Sequence, residues 1–382
     1  MPSRTDPPAA LLPSLPVGAR VLVIRLRSLG DTLLLTPSLR ALKQWRPDLR
    51  LSVLLYQRFA PVLDGNPDVE EVLALDPEGP TAVLELARAV ADLRERQFAA
   101  CFNLHGGTLS AVLTLASGAP HRLGLARHRF AFAYTGRAPD PRVFLGKQRL
   151  HTVEVQISLF YWAGLPQGEI PPLQVFSQPE ARAAVAKMLD TRAVGREARY
   201  AVLHPVANFL TKEWPFDRYA ALAQWLEEEG LVPVFIAGPG EGAKLDAVED
   251  ASPRPLRRLE SLTIPELVAL IEGSSLFVGN DSGPAHIAAA LNRPLVVLFG
   301  SSDSAAWGPW PHTGGKHRIV QNEYACNPCR GDRCYAFDKP ECILSLTQEQ
   351  VRAAVRALRA PAAEEHMAMP TWFGSAHHKR AR

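Results

Sequence analysis

The chain has 382 residues, with 42 Lys and Arg against 39 Asp and Glu, so its formal net charge is +3. This near balance excludes the strongly basic surface with which proteins bind nucleic acid, and we expect no nucleic-acid partner. An apolar fraction of 47% is ordinary for a soluble globular protein. Because the chain is too long for one compact core, we expect two domains.

The two ends of the chain are predicted to lie outside these domains. Residues 1–18 are rich in proline and contain no continuous apolar core, so they predict a disordered leader and not a signal peptide. Residues 361–382 end in a short basic run, which predicts a flexible tail that is solvated or touches anionic lipid weakly. These features indicate a cytoplasmic protein, either free or peripheral at the inner face of the cytoplasmic membrane.

Residues 19–175 alternate between apolar runs of strand length and segments of helical periodicity. This alternation predicts a first Rossmann-like, doubly wound α/β domain. The predicted strands cover residues 20–24, 51–55, 69–73 and 98–104, and the predicted helices cover 36–44, 81–96 and 110–116.

A proline-rich connector over residues 164–179 precedes a second alternating series, which predicts a second domain over 176–360. Two such halves are expected to face each other across a central cleft. The predicted strands cover residues 200–204, 232–237, 275–278 and 294–300, and the predicted helices cover 179–189, 216–229, 264–272, 285–291 and 348–359.

The most informative turn is Gly279-Asn280-Asp281-Ser282-Gly283-Pro284-Ala285-His286, which lies between a predicted buried strand and a predicted helix. Ligands bind at the carboxyl ends of strands in open α/β sheets, and the unpaired N–H groups of a helix start favour phosphate. Asp281 can accept hydrogen bonds from sugar hydroxyls, and Ser282 can donate one to phosphate. The alternative is an ordinary capped helix, with Ser282 as the cap and Gly283 allowing tight packing.

The first strand is followed by a similar turn containing Ser28, Gly30 and Asp31. Gly30 permits a tight turn, and Asp31 then stands at a helix entrance beside the expected cleft. Asp31 can cap that helix, or it can accept a proton from a hydroxyl nucleophile. His105 ends another strand of the same half, where it meets a bound sugar or has no role in binding.

Two turns of the second half offer groups for a nucleotide. Thr211 and Lys212 follow the strand over 200–204, and they can hydrogen-bond and pair with phosphate, although a loop lysine is usually just solvated. Gly238 and Glu241 follow the next strand. Gly238 would let a flat base approach closely and Glu241 would bind ribose hydroxyls, or the turn is merely solvated.

Four cysteines stand within seventeen positions with the spacing C-x2-C-x4-C-x7-C. They are Cys326, Cys329, Cys334 and Cys342. This density predicts either a structural Zn²⁺ or iron–sulfur site or a loop of reduced thiols. Disulfides are the less expected use in a cytoplasmic chain.

Four segments in order resemble the heptosyltransferase family of bacterial glycosyltransferases: VIRLRSLGDTLLLTPSLRALK, HPVANFLTKEWP, FIAGPGE and VGNDSGPAHIAAAL. The resemblance extends over about residues 20–358. It implies the two-domain GT-B fold and an inverting transfer of a sugar, with heptose from ADP-heptose as donor. The implied acceptor is a lipid-linked glycan of the lipopolysaccharide core or a related glycan.

The resemblance also implies roles for individual residues. Asp31 and Lys212 would be the catalytic residues, with Asp31 as the general base and Lys212 in contact with the donor phosphates. No metal or other cofactor would be required for catalysis. The donor-binding set would be Thr211, Gly238, Glu241, Asp281, Ser282, Gly283 and His286. The acceptor-binding set would be Ser28, Gly30 and His105. A sugar-nucleotide epimerase or hydrolase of the same fold, or an inactive nucleotide-sugar-binding protein, remain alternatives.

Overall fold

The computed structural model describes residues 11–77, 82–195, 197–310, 316–329 and 331–359. The first half forms a parallel sheet with the strand order β3-β2-β1-β4-β5-β6. Its strands are β1 (Arg20–Ile24), β2 (Arg50–Tyr56), β3 (Glu71–Leu75), β4 (Ala100–Asn103), β5 (His121–Leu125) and β6 (Gly136–Ala138). Its helices are α1 (Leu11–Ser14), α2 (Leu29–Leu33), α3 (Thr36–Trp45), α4 (Ala82–Glu95), α5 (Thr108–Ala116), α6 (Pro141–Leu145) and α7 (Thr152–Trp162).

The second half repeats this arrangement, with the order β12-β11-β10-β7-β8-β9 and all strands parallel. Its strands are β7 (Tyr200–His204), β8 (Val232–Ala237), β9 (Arg258–Glu260), β10 (Leu276–Asn280), β11 (Leu295–Leu298) and β12 (His317–Val320). Its helices are α8 (Pro179–Asp190), α9 (Phe216–Glu228), α10 (Gly242–Asp250), α11 (Ile264–Gly273), α12 (Gly283–Ala290), α13 (Ser304–Trp307), α14 (Glu341–Leu344) and α15 (Gln348–Arg359).

The strand order places the ligand-binding edge of each sheet. In both halves the central strands, β1 with β4 and β7 with β10, are neighbours at the point where the direction of winding reverses. The crevice outside the carboxyl ends of such strands is where open α/β sheets bind ligands. The central strands are buried on both faces, which explains their continuous apolar sequences. The predicted fold, two Rossmann-like domains in the GT-B arrangement, is confirmed.

The two binding edges meet where α2 packs against α12. Farther along, Thr152 at the start of α7 donates its hydroxyl hydrogen to the carbonyl oxygen of Ala306 at 2.9 Å. His151 Nε2 also lies 2.9 Å from the carbonyl oxygen of Gly308. These hydrogen bonds join the start of α7 in the first half to the residues around α13 in the second half. The predicted domain boundary at 175/176 falls in irregular chain between α7 and α8 and stays a prediction.

The predicted disordered leader is wrong for the residues that the structure describes. Leu11 and Leu12 are buried, and the amide of Leu12 donates to the carbonyl oxygen of Ala163 at 2.9 Å. Their apolar side chains join a buried hydrophobic core that includes strands of the first half, although the neighbouring prolines obscured this in the sequence. Residues 1–10 and the predicted basic tail over 361–382 lie outside the described residues. Within the described ranges, no helix is both long and apolar enough to span a membrane.

Candidate active site

A cavity of about 760 Å³ lies between the two halves. It contains most of the residues that the sequence predicted for donor and acceptor binding. The predicted residues that line it are Ser28, Gly30, Lys212, Gly238, Glu241, Asp281, Ser282 and Gly283. The structure therefore brings turns from four separate strands to one space.

Asp31 stands directly behind the turn that lines this cavity. Its Oδ2 accepts the Ser28 N–H at 3.1 Å and lies 3.3 Å from the Ser28 hydroxyl, and Ser28 itself faces the cavity. Its Oδ1 forms an ion pair with Arg25, which also donates to the carbonyl oxygen of Leu104 at 3.0 Å. Asp31 is therefore a fixed, partly exposed carboxylate next to the cavity, and Arg25 is a partner that the sequence did not suggest.

Lys212 and Asp281, which follow two different strands of the second half, form an ion pair. Lys212 Nζ lies 2.8 Å from Asp281 Oδ2, and their side chains are 23% and 7% exposed. Lys212 ends a 3₁₀ turn (Leu210–Lys212), whereas Asp281 follows β10. The pair places one ammonium group in the cavity wall beside a carboxylate.

Thr211 does not share this position, although it precedes Lys212 in the chain. Its hydroxyl is buried, donates to the carbonyl oxygen of Gly331 and accepts a hydrogen bond from Ser301 at 3.0 Å. The 3₁₀ turn directs neighbouring side chains to different sides of the loop. Thr211 therefore holds the loop from behind, and its predicted contact with the donor stays a prediction.

The start of α12 is open toward the cavity. Ser282 is its N-cap residue, but its side chain makes no capping hydrogen bond. Its hydroxyl donates instead to the carbonyl oxygen of Asn280 at 3.0 Å and lies 3.0 Å from His204 Nδ1. Burial lowers the pKa of His204 to about 4, so this ring is neutral at physiological pH. The helix start keeps its favourable dipole and backbone donors for a ligand anion.

The far wall of the cavity combines apolar side chains with one carboxylate. Ile236, Leu262 and Ile264 line it together with Gly238 and Glu241. Glu241 Oε2 accepts the Gly238 N–H at 2.8 Å, which closes the turn after β8. An apolar wall with a nearby carboxylate suits a flat base joined to a ribose.

His286 is buried between the two turns and does not line the cavity. A Cβ atom added to Gly30 would lie 2.8 Å from His286 Cδ2, and one added to Gly283 would lie 3.0 Å from Leu29. Burial lowers the pKa of His286 to about 4, opposed by the charges of Asp281 and Asp31 on either side. His286, which was predicted to bind the donor, therefore packs in the contact between α2 and α12.

His105 lies near Asp31, also outside the cavity. Asn103 Oδ1 accepts the N–H groups of His105 and Gly106 at 2.9 and 3.0 Å, which shapes the turn after β4. Burial lowers the pKa of His105 to about 4, and the charges of Arg25 and Arg27 lower it further. The predicted acceptor residue is thus a neutral imidazole beside the carboxylate of Asp31.

A family model described as glycosyltransferase family 9 (heptosyltransferase) matches residues 86–338. The chain belongs to glycosyltransferase family 9. Lipopolysaccharide heptosyltransferase 3 of Escherichia coli is 29% identical over 324 residues, which are 83% of this chain and 92% of that protein. The suspected family and the glycosyltransferase activity that it implied are confirmed.

Solved structures show the same fold. The glycosyl transferase family 9 structure from Veillonella parvula DSM 2008 has a TM-score of 0.78 at 20% identity and covers 90% of this chain and 98% of its own. Escherichia coli heptosyltransferase WaaC with ADP has a TM-score of 0.66 at 20% identity and covers 89% of this chain and 99% of its own.

The four cysteines of this glycosyltransferase are free thiols around a separate cavity of about 350 Å³. Cys342 is buried at the start of α14, whereas Cys329 is exposed. Among the residues that the structure describes, no three His, Cys, Asp or Glu side chains are grouped to hold a metal ion. The prediction of a structural Zn²⁺ or iron–sulfur site at Cys326, Cys329, Cys334 and Cys342 is therefore not supported. The thiols are distributed over the walls of a space much larger than an ion.

We expect Gly30→Ala to disrupt the junction between the two halves of the enzyme. The new methyl group would stand 2.8 Å from His286 Cδ2, closer than atoms pack, and His286 is itself buried. Overpacking of this kind costs about 1–3 kcal/mol, so the midpoint of thermal unfolding should fall. The control is Gly168→Ala, because a methyl group there meets no atom within 4 Å and should leave the midpoint unchanged. Gly18→Ala would not serve, because the φ of +75° at Gly18 is itself strained for alanine. An unchanged midpoint in Gly30→Ala would contradict this close packing.

We expect the free energy of unfolding to decrease as the pH falls from about 6.5 toward 4. Burial lowers the pKa of four histidines to about 4 from an ordinary value of 6.5: His105, His128, His204 and His286. Between these values the unfolded chain binds more protons than the folded one, so acid favours unfolding. Urea unfolding near neutral pH and near pH 5 measures the difference, and an equal free energy at both would show that these rings are not buried as neutral groups.

Proposed function

We propose that this family 9 glycosyltransferase transfers a heptose from ADP-heptose to a hydroxyl of a lipopolysaccharide-core glycan, with inversion at the anomeric carbon. One observation carries the proposal: turns from both halves, with Ser28 on one side and Lys212, Asp281 and Ser282 on the other, line a single cavity. The carboxylate of Asp31 lies directly behind Ser28. An acceptor in the first half would then meet a donor in the second.

The second half suits a nucleoside diphosphate sugar. The ammonium of Lys212 and the uncapped start of α12 offer positive charge and N–H donors for the diphosphate. The apolar wall with Glu241 suits the adenosine part. A related heptosyltransferase has been solved with ADP, which supports an adenine nucleotide as the donor.

The reaction is a direct displacement. The acceptor hydroxyl oxygen forms a bond to the anomeric carbon while Asp31 takes its proton. The bond from that carbon to the phosphate oxygen breaks, and its electron pair leaves with ADP. Lys212 and the α12 N-terminus stabilise the charge that grows on the leaving diphosphate, so these groups do the work that a metal does elsewhere, and transfer should continue in a chelator.

The acceptor is proposed to be lipid-linked, which would place the enzyme at the inner face of the cytoplasmic membrane. The Escherichia coli relative described above is a lipopolysaccharide heptosyltransferase. Arg127 and Arg129 are exposed after β5, on the binding edge of the first half, and can attract an anionic glycolipid. Two neighbouring basic residues do not add to this charge, because Arg122 is held by backbone carbonyl oxygens and His128 is buried.

The test combines donor binding with transfer. Calorimetry with ADP-heptose, GDP-mannose and UDP-N-acetylglucosamine should show binding of the ADP sugar alone. Incubation with ADP-heptose, EDTA and a heptose-deficient core glycolipid should add one heptose, seen by mass spectrometry. Consumption of the donor without an acceptor, or no binding of any nucleotide sugar, would contradict the proposal.

A further inference from the structure

The residue after Lys212 points away from the cavity. Glu213 has an extended backbone (φ −93°, ψ 112°), so its side chain and that of Lys212 project to different sides. Whereas Lys212 reaches Asp281, the carboxylate of Glu213 turns into the protein and is only 6% exposed. A buried carboxylate needs a cation and hydrogen-bond donors.

Both requirements are met around one residue of the chain, Ala207. Glu213 Oε1 accepts the N–H of Ala207 at 3.0 Å and forms an ion pair with Lys244 Nζ. Lys244 Nζ also donates to the carbonyl oxygen of Ala207 at 3.1 Å. The two side chains therefore bind both backbone groups of the same residue. This arrangement is here called the Ala207 clamp.

The clamped residue belongs to the loop over 206–209, and every residue of that loop lines the cavity between the two halves. Lys244 lies on α10, one turn after Glu241, which lines the same cavity. The clamp thus joins three parts of the cavity: the loop after β7, the segment that carries Lys212, and the wall that carries Glu241.

We propose that Glu213 and Lys244 are positioning residues that preform the nucleotide-binding loop. They would act through the loop over 206–209 and through Lys212, without touching the donor. This inference rests on the proposed function, because it assigns the preformed cavity to ADP. Preorganisation of this kind favours binding because less chain has to be ordered when the ligand arrives.

The test must separate positioning from folding. Removing one partner alone would leave a buried charge unpaired, which destabilises the protein strongly, whereas replacing both by apolar groups of similar size is often neutral. The informative variant is therefore Glu213→Leu combined with Lys244→Met, which should fold with a thermal midpoint near that of the wild type. Asp246→Asn is the matched control, because Asp246 lies on the same helix as Lys244, pairs with Arg258 of β9 and is 62% exposed.

Two measurements follow. Without any ligand, hydrogen exchange of the Ala207 amide should be faster in the double variant than in the wild type and in Asp246→Asn. The dissociation constant for ADP, measured by calorimetry, should be about tenfold higher in the double variant. The conservative single variant Lys244→Arg keeps a cation beside Glu213 and should retain most of the wild-type affinity.

The outcomes separate this inference from the proposed function. Unchanged exchange at Ala207, or wild-type ADP affinity in a double variant with faster exchange, would overturn the positioning role. Failure of the wild type to bind ADP would overturn the proposed function instead. The exchange measurement needs no ligand and would then still decide whether the clamp orders the loop.

Discussion

Asp31→Asn is expected to lower kcat by about 10²–10⁴-fold, the range over which a positioned general base contributes. The amide has nearly the same shape and can still accept the Ser28 N–H through its oxygen, but it cannot take a proton from the acceptor hydroxyl. Because Asp31 lies beside Ser28 in the first half, whereas ADP is proposed to bind to residues of the second half, the affinity for ADP should stay unchanged. Steady-state kinetics and calorimetry measure the two quantities separately.

A matched control for this substitution is Asp48→Asn. Asp48 also pairs with an arginine, Arg46, in the same half of the enzyme, and neither residue lines the cavity. This variant should keep its kcat, although some stability will be lost, because the pair with Arg46 lowers the pKa of Asp48 to about 2. If Asp31→Asn turned over as fast as Asp48→Asn, Asp31 would not be the base.

Much of this site could be predicted because it consists of short motifs at strand ends. A strand followed by a glycine turn and a helix places polar residues at the binding edge of a parallel sheet, whatever the rest of the fold does. Asp31, Asp281 and Ser282 were found in this way, and Lys212 was found in the loop after another strand. The structure places them in or directly behind the cavity wall. Their roles in transfer remain predictions.

Partners from distant parts of the chain could not be predicted. Glu213 and Lys244 are 31 positions apart and meet only because α10 packs beside the loop after β7. A sequence motif also does not show which side of a turn a residue faces, so the position of Thr211 behind the loop that carries Lys212 could not be predicted. Nor could the sequence show that the opposite half of the enzyme covers His286, whose predicted contact with the donor stays a prediction.

The short outer strands were missed for another physical reason. β5, β6, β9 and β12 are three to five residues long and contain charged or glycine residues. Strands near a sheet edge are partly exposed, so they lack the continuous apolar run that marks β1 or β10. Their pairing becomes evident only once the central strands are in place.

Lys212→Met is expected to weaken ADP binding and to lower kcat together. Lys212 stands where the diphosphate is proposed to bind, and loss of one such group in a preorganised site costs about 10²–10³-fold in kcat. The substitution also leaves the carboxylate of Asp281, 7% exposed, without its partner beside two phosphates. Repulsion by this uncompensated charge should weaken ADP binding beyond the loss of the lysine itself.

Lys212→Met combined with Asp281→Asn is therefore the decisive variant. The second substitution removes the repelling charge, so ADP affinity should recover in part, whereas kcat should stay low because nothing replaces the ammonium group at the leaving diphosphate. Lys147→Met is the control, since Lys147 pairs with Glu154 in the first half and does not line the cavity. If the single and double variants bound ADP equally, the Lys212–Asp281 pair would not face the diphosphate. If kcat recovered along with affinity, Lys212 would contribute to donor binding alone, and the charge on departing ADP would have to be stabilised by the α12 N-terminus.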